Sequence, residues 1–151
     1  MPKPVDANFG DTAKPQALVA FHGRTDFWWL RVLRPGFRHC LAVIPDAGQW
    51  VMINPLSIGT EVSIWPGLGV EDMKSWLTGQ GYTVATCAYD PPRANRRTNR
   101  PLPWRPYTCV EAVKRALGLR MAGVLTPWQL FCALHRKKVL DKRSDLAYNH
   151  P

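Results

Sequence analysis

Turn-forming residues divide the stretch between residues 34 and 65 into short β-rich runs, and this pattern restricts the fold more than any other feature. Arg34-Pro35-Gly36 is typical of a turn, and Asp46-Ala47-Gly48 is typical of a hairpin. The runs predicted as strands are 37–44, 49–54 and 60–65. Because strands joined by such short turns pair in antiparallel fashion, the sequence predicts an antiparallel meander.

A helix and two further β-rich segments extend this prediction. Residues 69–78 fit a helix that ends at Gly79 or Gly81, residues 82–89 fit a fourth strand, and residues 17–21 fit a short strand. The apolar side of that helix carries Val70, Met73, Trp76 and Leu77. The predicted fold class is α+β, with an antiparallel sheet of about four strands flanked by helices.

Two more segments carry helix signals. Residues 26–33 are rich in large apolar groups, and a short buried helix capped by Thr25 or Asp26 is the first interpretation, with a strand as the alternative and core packing as the role. Thr126-Pro127-Trp128-Gln129 fits a helix start, with threonine as N-cap, proline in the first position and glutamine three residues on. We expect this helix to run to about Arg136. Its buried residues would be Leu130, Phe131 and Leu134.

Length and charge bound the class of protein. The 151 residues are 46% apolar, which suits one domain over residues 17–136, with a loose arm at 1–16 and a charged, frayed tail at 137–151. The net charge of +9 predicts an anionic neighbour such as nucleic acid, cell-wall polymer or lipid headgroups. No apolar run approaches the length of a membrane span, and residues 1–20 lack a secretory-signal pattern, so we expect a soluble protein.

Cysteine and histidine spacing gives no metal or cofactor prediction. No Cys-x-x-Cys pair occurs, so reduced thiols are expected rather than a zinc clamp or a dense disulfide framework. The cysteines are Cys40, Cys87, Cys109 and Cys132. The histidines, which show no ligand spacing, are His22, His39, His135 and His150.

Cys109 begins a predicted helix. Thr108 followed by Glu111 is a capping-box pattern, in which Thr108 is the N-cap and Glu111 bonds back to the Thr108 amide. The first helical position then falls on Cys109, where free amides and the positive end of the helix dipole favour a thiolate. The alternative is that Cys109 is a small apolar filler of the core.

A cysteine nucleophile needs a base and a group that orients the base. His39 lies early in the first predicted strand, where alternation puts His39 and Cys40 on opposite faces, so that only one of the two is expected to meet the cysteine helix. The hairpin turn brings Asn54 beside His39, where its amide would hold the imidazole. Glu61 is the reserve for this orienting role. The alternatives are a hydrogen-bonded core or surface histidine and an Asn-Pro turn end.

These residues resemble the circularly permuted branch of the papain-like NlpC peptidase and amidase superfamily, in which a histidine strand and a polar residue on the adjacent strand precede the cysteine helix. Four fragments also resemble small uncharacterised proteins of bacteriophages and prophage-like elements. They are Gly36-Phe37-Arg38-His39-Cys40, Ile53-Asn54-Pro55-Leu56-Ser57, Thr108-Cys109-Val110-Glu111-Ala112-Val113-Lys114 and Thr126-Pro127-Trp128-Gln129-Leu130.

The resemblance implies a thiol protease or amidase with a permuted papain-like fold that cleaves amide bonds in a peptide or a peptidoglycan-like substrate. Cys109 would be the nucleophile, His39 the general base and then acid, and Asn54 the orienting residue. The Cys109 amide would donate one oxyanion hydrogen bond, and Tyr107 is a weak candidate for the second. The location implied is the cytoplasm of the producing cell or a virion.

A non-enzymatic function is the alternative. In this interpretation a papain-like shell is a phage virion or assembly component that binds another virion protein or nucleic acid through a basic loop. Residues 90–106 form a long segment rich in proline and arginine, a composition that permits phosphate contacts but also fits a solvated loop. Its arginines are Arg93, Arg96, Arg97, Arg100 and Arg105.

Overall fold

An antiparallel five-stranded sheet organises the part of the chain that the structure, a computed structural model, describes: residues 15–24, 28–89 and 108–148. The elements in chain order are β1 (Gln16–His22), a 3₁₀ helix (Trp28–Val32), β2 (His39–Asp46), β3 (Gln49–Leu56), β4 (Gly59–Trp65), α1 (Val70–Gly79), β5 (Thr83–Ala88), α2 (Cys109–Ala116) and α3 (Pro127–Tyr148). The predicted α+β class is confirmed.

The first strand lies inside the sheet, one place from the edge strand β5. The spatial order is β4-β3-β2-β1-β5, and β1 pairs with both β2 and β5. Residues 17–21 of β1 are wholly buried, because helices cover both faces of the sheet at this point. The sheet of the described residues therefore has five strands where about four were expected, since the segment 17–21 belongs to an interior strand between β2 and β5.

The predicted hairpin between β2 and β3 is confirmed. Ala47 and Gly48 both have positive φ, 45° and 77°, which is the combination that a two-residue type I′ turn requires. Asp46 pairs with Gln49 on either side of this turn, and the β2–β3 register continues as far as Ala42 and Ile53. Beyond that pair the two strands no longer share a ladder.

Alternation along the strands divides the core between two sides of the sheet. Leu18, Leu41 and Val43 point to the side that α1 covers with Met73 and Leu77. The neighbouring strand residues point to the side that α2 and α3 cover, and this second core contains Val19, Phe21, Cys40, Ala42, Val110, Val113, Leu130 and Leu134. The cysteine helix therefore packs on the face that carries Cys40.

The third helix begins as predicted and ends later. The Thr126 hydroxyl accepts a hydrogen bond from the Gln129 amide at 3.3 Å, and the Gln129 side chain accepts one from the Thr126 amide at 3.0 Å, which completes a capping box. Helix α3 then continues to Tyr148 rather than to about Arg136. The expectation of a frayed tail is wrong for residues 137–148, because the helical hydrogen-bond ladder extends through them.

The tryptophan-rich segment does not form a buried helix. Only a five-residue 3₁₀ helix is present, and none of its residues is buried. Trp28 is 80% exposed and Val32 is 89% exposed. The prediction of core packing is therefore wrong, since α1 on one side of the sheet and α2 with α3 on the other already supply the buried layers. The proposed caps Thr25 and Asp26 lie outside the described residues.

None of the helices in the described ranges combines the length with the apolar composition that crossing a membrane requires.

Candidate active site

Cys109 is the first residue of α2, and Thr108 is its N-cap. Thr108 has extended backbone angles, φ −102° and ψ 162°, and its hydroxyl accepts a hydrogen bond from the Glu111 amide at 3.2 Å. In place of the predicted bond to the Thr108 amide, the Glu111 carboxylate pairs with Lys114 at 2.9 Å and with Arg115 at 3.2 Å. The cap nevertheless fixes the start of the helix at Cys109.

A buried lysine holds this helix to the chain that follows it. Lys114 is 3% exposed, and its ammonium donates to the carbonyls of Met121 at 3.3 Å and Val124 at 3.0 Å besides pairing with Glu111. A buried charge is tolerated when such partners surround it. Lys114 therefore holds α2 against the segment between α2 and α3. These contacts help to fix the position of Cys109 at the start of α2.

His39 and Asn54 meet where β2 and β3 stop pairing. His39 is the first residue of β2, three residues before the last β2–β3 pair, and Asn54 is the first β3 residue beyond that pair. The His39 Nε2 atom lies 2.8 Å from the Asn54 Oδ1 atom. An amide oxygen can only accept, so Nε2 carries the proton and donates, and Nδ1 is the ring nitrogen that can exchange a proton with a thiol.

Glu61 fixes the Asn54 amide in this orientation. The Asn54 Nδ2 group donates to the Glu61 Oε2 atom at 3.2 Å, and Glu61 is the register partner of Asn54 on β4. Because the carboxylate accepts only, the amide nitrogen must face Glu61 and the oxygen must face His39. Glu61 therefore orients Asn54, and Asn54 orients His39, through hydrogen bonds that run from β4 to β3 and from β3 to β2.

The Cys109 thiol makes hydrogen bonds with the side chains of Cys40 and His39. Its pKa falls to about 5, chiefly because the Cys40 thiol donates to it; burial acts in the opposite direction. The hydrogen bond and charge of His39 and a backbone hydrogen bond from Cys40 lower the pKa further. Cys109 is therefore the thiolate at neutral pH, and it is only partly buried.

Cys40 is the partner that keeps its proton. It is wholly buried, and its pKa is raised well above the ordinary value, chiefly by its hydrogen bond to Cys109 and then by burial. The expectation that only one of His39 and Cys40 would meet the cysteine helix is wrong. Since the β2–β3 ladder ends at Ala42 and Ile53, the start of β2 is open on its β3 side, and both side chains reach the Cys109 sulfur.

A second histidine, which the sequence reasoning did not assign to the site, stacks on the first. His22 is the register partner of His39, and the two ring centroids lie 4.9 Å apart. Burial, His39 and Arg24 lower the pKa of His22 to about 4, and its Nδ1 atom accepts the Arg24 amide hydrogen at 3.1 Å. His22 is therefore neutral at pH 7. The sequence signal that could have identified His22 is that His22 and His39 lie at the ends of two segments that could pair as strands.

Several predicted site residues lie outside the described ranges: Tyr107, Arg93, Arg96, Arg97, Arg100 and Arg105. The oxyanion role of Tyr107 and the basic-loop alternative therefore stay predictions from the sequence. Among the residues described, no three His, Cys, Asp or Glu side chains form a group that could hold a metal ion.

The arrangement provides the parts of thiol-dependent acyl chemistry. It supplies a thiolate at a helix N-terminus, an imidazole with one nitrogen directed to an amide oxygen, and a carboxylate behind that amide. These parts come from four elements: α2, β2, β3 and β4.

Comparison of the chain with protein-family models, with curated proteins and with solved structures finds no match in any of the three.

Proposed function

We propose that this chain is a cysteine hydrolase, a peptidase or amidase of permuted papain-like type. The observation that carries the proposal is the line of contacts from Cys109 through His39 and Asn54 to Glu61. Its order along the chain, with the histidine and asparagine strands before the cysteine helix, supports the permuted form.

Each residue has one step in the proposed reaction. The Cys109 thiolate attacks the carbonyl carbon of an amide, and the proton taken up by His39 passes to the leaving nitrogen. Water, deprotonated by His39, then releases the acyl group from Cys109. Asn54 keeps the imidazole in the tautomer and orientation that both proton transfers need.

The helix start would stabilise the oxyanion of each tetrahedral intermediate. The first amides of a helix have no partner within the helix, so the Cys109 N–H is available to the negative oxygen. The substrate class that we propose is an amide in a peptide or a peptidoglycan-like polymer, and the net charge of +9 favours an anionic one.

The test is the formation of an acyl-enzyme. The purified chain is incubated with peptidoglycan stem peptides and with a panel of acyl-aminocoumarin amides, released amine is measured, and acid-quenched protein is mapped by mass spectrometry. We expect amine release and an acyl group on Cys109, both abolished in Cys109→Ala and both retained in Cys132→Ala. Amine release that survives Cys109→Ala, or the lack of any release and of any acyl adduct, contradicts the proposal.

A further inference from the structure

We propose that Cys40 and Cys109 form a reversible internal disulfide when peroxide oxidises the chain, so that the β2 cysteine acts as the resolving thiol for the α2 cysteine. The inference goes beyond the hydrolase proposal. It depends on the contact of the two side chains and not on any catalytic turnover.

The geometry pairs one accessible thiol with one inaccessible thiol. Cys109 is partly exposed at the start of α2 and packs against the core cluster that contains Cys40. Cys40 is 0% exposed, so an oxidant in solution has direct access to Cys109 but not to Cys40. This asymmetry assigns the order of events, with Cys109 oxidised first and Cys40 reacting second.

The two sulfurs are already neighbours. Cys40 and Cys109 share a side-chain hydrogen bond, so the two side chains are already in contact, and a disulfide would bring their sulfur atoms to about 2.05 Å. Neither cysteine is in a disulfide in the structure, and the same holds for Cys87 and Cys132. Cys40 lies near the start of β2, beyond the last residue that pairs with β3. Backbone pairing with β3 therefore does not hold Cys40 in place while the disulfide forms.

The chemistry balances with hydrogen peroxide as the named oxidant. The Cys109 thiolate attacks one peroxide oxygen and the O–O bond breaks, which gives a sulfenic acid at Cys109 and, after protonation, one water. The Cys40 sulfur then attacks the Cys109 sulfur, the S–O bond breaks, and the hydroxyl leaves with the Cys40 proton as a second water. In total two thiols lose two electrons and two protons to one peroxide.

The disulfide would protect the Cys109 sulfur from further oxidation. A sulfenic acid without a resolving thiol is oxidised by a second peroxide to sulfinic acid, which dithiols do not reverse, whereas a disulfide is reduced by a dithiol. An effect on hydrolysis follows only if the proposed function is correct, because only then does the disulfide block a nucleophile.

The test is disulfide mapping in the full chain. The reduced protein is treated with one equivalent of hydrogen peroxide, remaining thiols are blocked with iodoacetamide at once, and a non-reducing digest is analysed by mass spectrometry. We expect a linked pair of peptides containing Cys40 and Cys109, a loss of iodoacetamide-reactive Cys109, and recovery of that thiol after dithiothreitol. The monomer should not shift to a covalent dimer on a non-reducing gel.

Variants separate the two roles. In Cys40→Ser we expect dimedone to trap Cys109 as the sulfenic acid after one equivalent of hydrogen peroxide. Without dimedone and with excess peroxide, we expect Cys109 of this variant to accumulate sulfinic acid, while Cys87→Ser behaves as the unmodified chain does. The inference is overturned if the unmodified chain keeps Cys40 as a free thiol while Cys109 is oxidised, links Cys109 to a different cysteine, or leaves Cys109 unoxidised. The mapping of the unmodified chain decides even if Cys40→Ser fails to fold, and it does not depend on whether any amide is hydrolysed.

Discussion

The His39 ring donates to the Asn54 side chain at 2.8 Å, and this contact joins two strands beyond the point at which their backbone pairing ends. The ring is held by an amide that is itself held by Glu61. Its remaining nitrogen is the one available to the Cys109 thiol.

The first prediction concerns the reactivity of the Cys109 thiol. Because its pKa is about 5, alkylation by iodoacetamide should rise with pH to a plateau with a midpoint near pH 5, far below the value of about 8.5 for a free thiol. In His39→Ala the midpoint should move up by about 1 to 3 units, since a hydrogen bond and a positive charge are lost. Mass-spectrometric counting of labelled peptides from pH 4 to 9 measures this.

Cys87 supplies the internal control for that experiment. Burial raises its pKa to about 11, so Cys87 should stay unlabelled at pH 6 while Cys109 reacts. Equal labelling of the two cysteines at pH 6 would show that the folded chain does not activate Cys109.

The second prediction concerns Asn54 and Glu61. Asn54→Ala should slow Cys109 alkylation at pH 6, and any amide hydrolysis, by about tenfold, a modest part of the 10²- to 10⁴-fold effects of general acid–base groups. Glu61→Gln should change both rates little, because its amide oxygen can still accept the Asn54 N–H. Glu61→Ala should fall between the two. A Glu61→Gln variant as slow as Asn54→Ala would mean that the charge of Glu61, and not its hydrogen bond, is what matters.

The third prediction concerns His22 and acid stability. Its pKa is about 4 in the folded chain and about 6.5 in the unfolded chain, so the unfolded chain binds more protons between these values. The free energy of unfolding should therefore decrease as pH falls from about 6.5 towards 4. In His22→Gln this part of the decrease should be absent.

Urea unfolding from pH 4 to 8 measures the effect. Above pH 7 His22 is neutral in both states, so the curves for the unmodified chain and for His22→Gln should run parallel there. If the two curves are parallel below pH 6 as well, His22 does not carry a lowered pKa.

The fourth prediction concerns the lysine that holds α2. Lys114→Met should lower the free energy of unfolding by about 3 to 5 kcal/mol, because the mostly buried Glu111 carboxylate loses one of its two cationic partners and the Met121 and Val124 carbonyls lose a buried donor. Arg115→Met is the matched control. Its bond to Glu111 is at the surface, and the expected loss is about 0 to 1 kcal/mol. Similar losses in the two variants would contradict this account of Lys114.

Local features of the chain were predictable from the residues alone. The hairpin turn at Asp46-Ala47-Gly48, the N-cap at Thr108 and the capping box of Thr126 and Gln129 each involve residues no more than three positions apart. Such contacts depend on backbone sterics and on short side chains reaching nearby amides, and residue type alone indicates them. The position of Asn54 near His39 also followed from sequence, because a two-residue turn sets the direction in which β3 returns.

The remaining features depend on tertiary packing. The interior place of β1 between β2 and β5, the contact of Cys40 with Cys109 and the stacking of His22 on His39 depend on pairing between segments far apart in the chain. The exposure of Trp28 has the same kind of cause. Apolar composition favours burial, but burial also requires a sheet face that other helices have left uncovered. Long-range pairing is chosen by the packing of all the layers together, and no local pattern of residues encodes that choice.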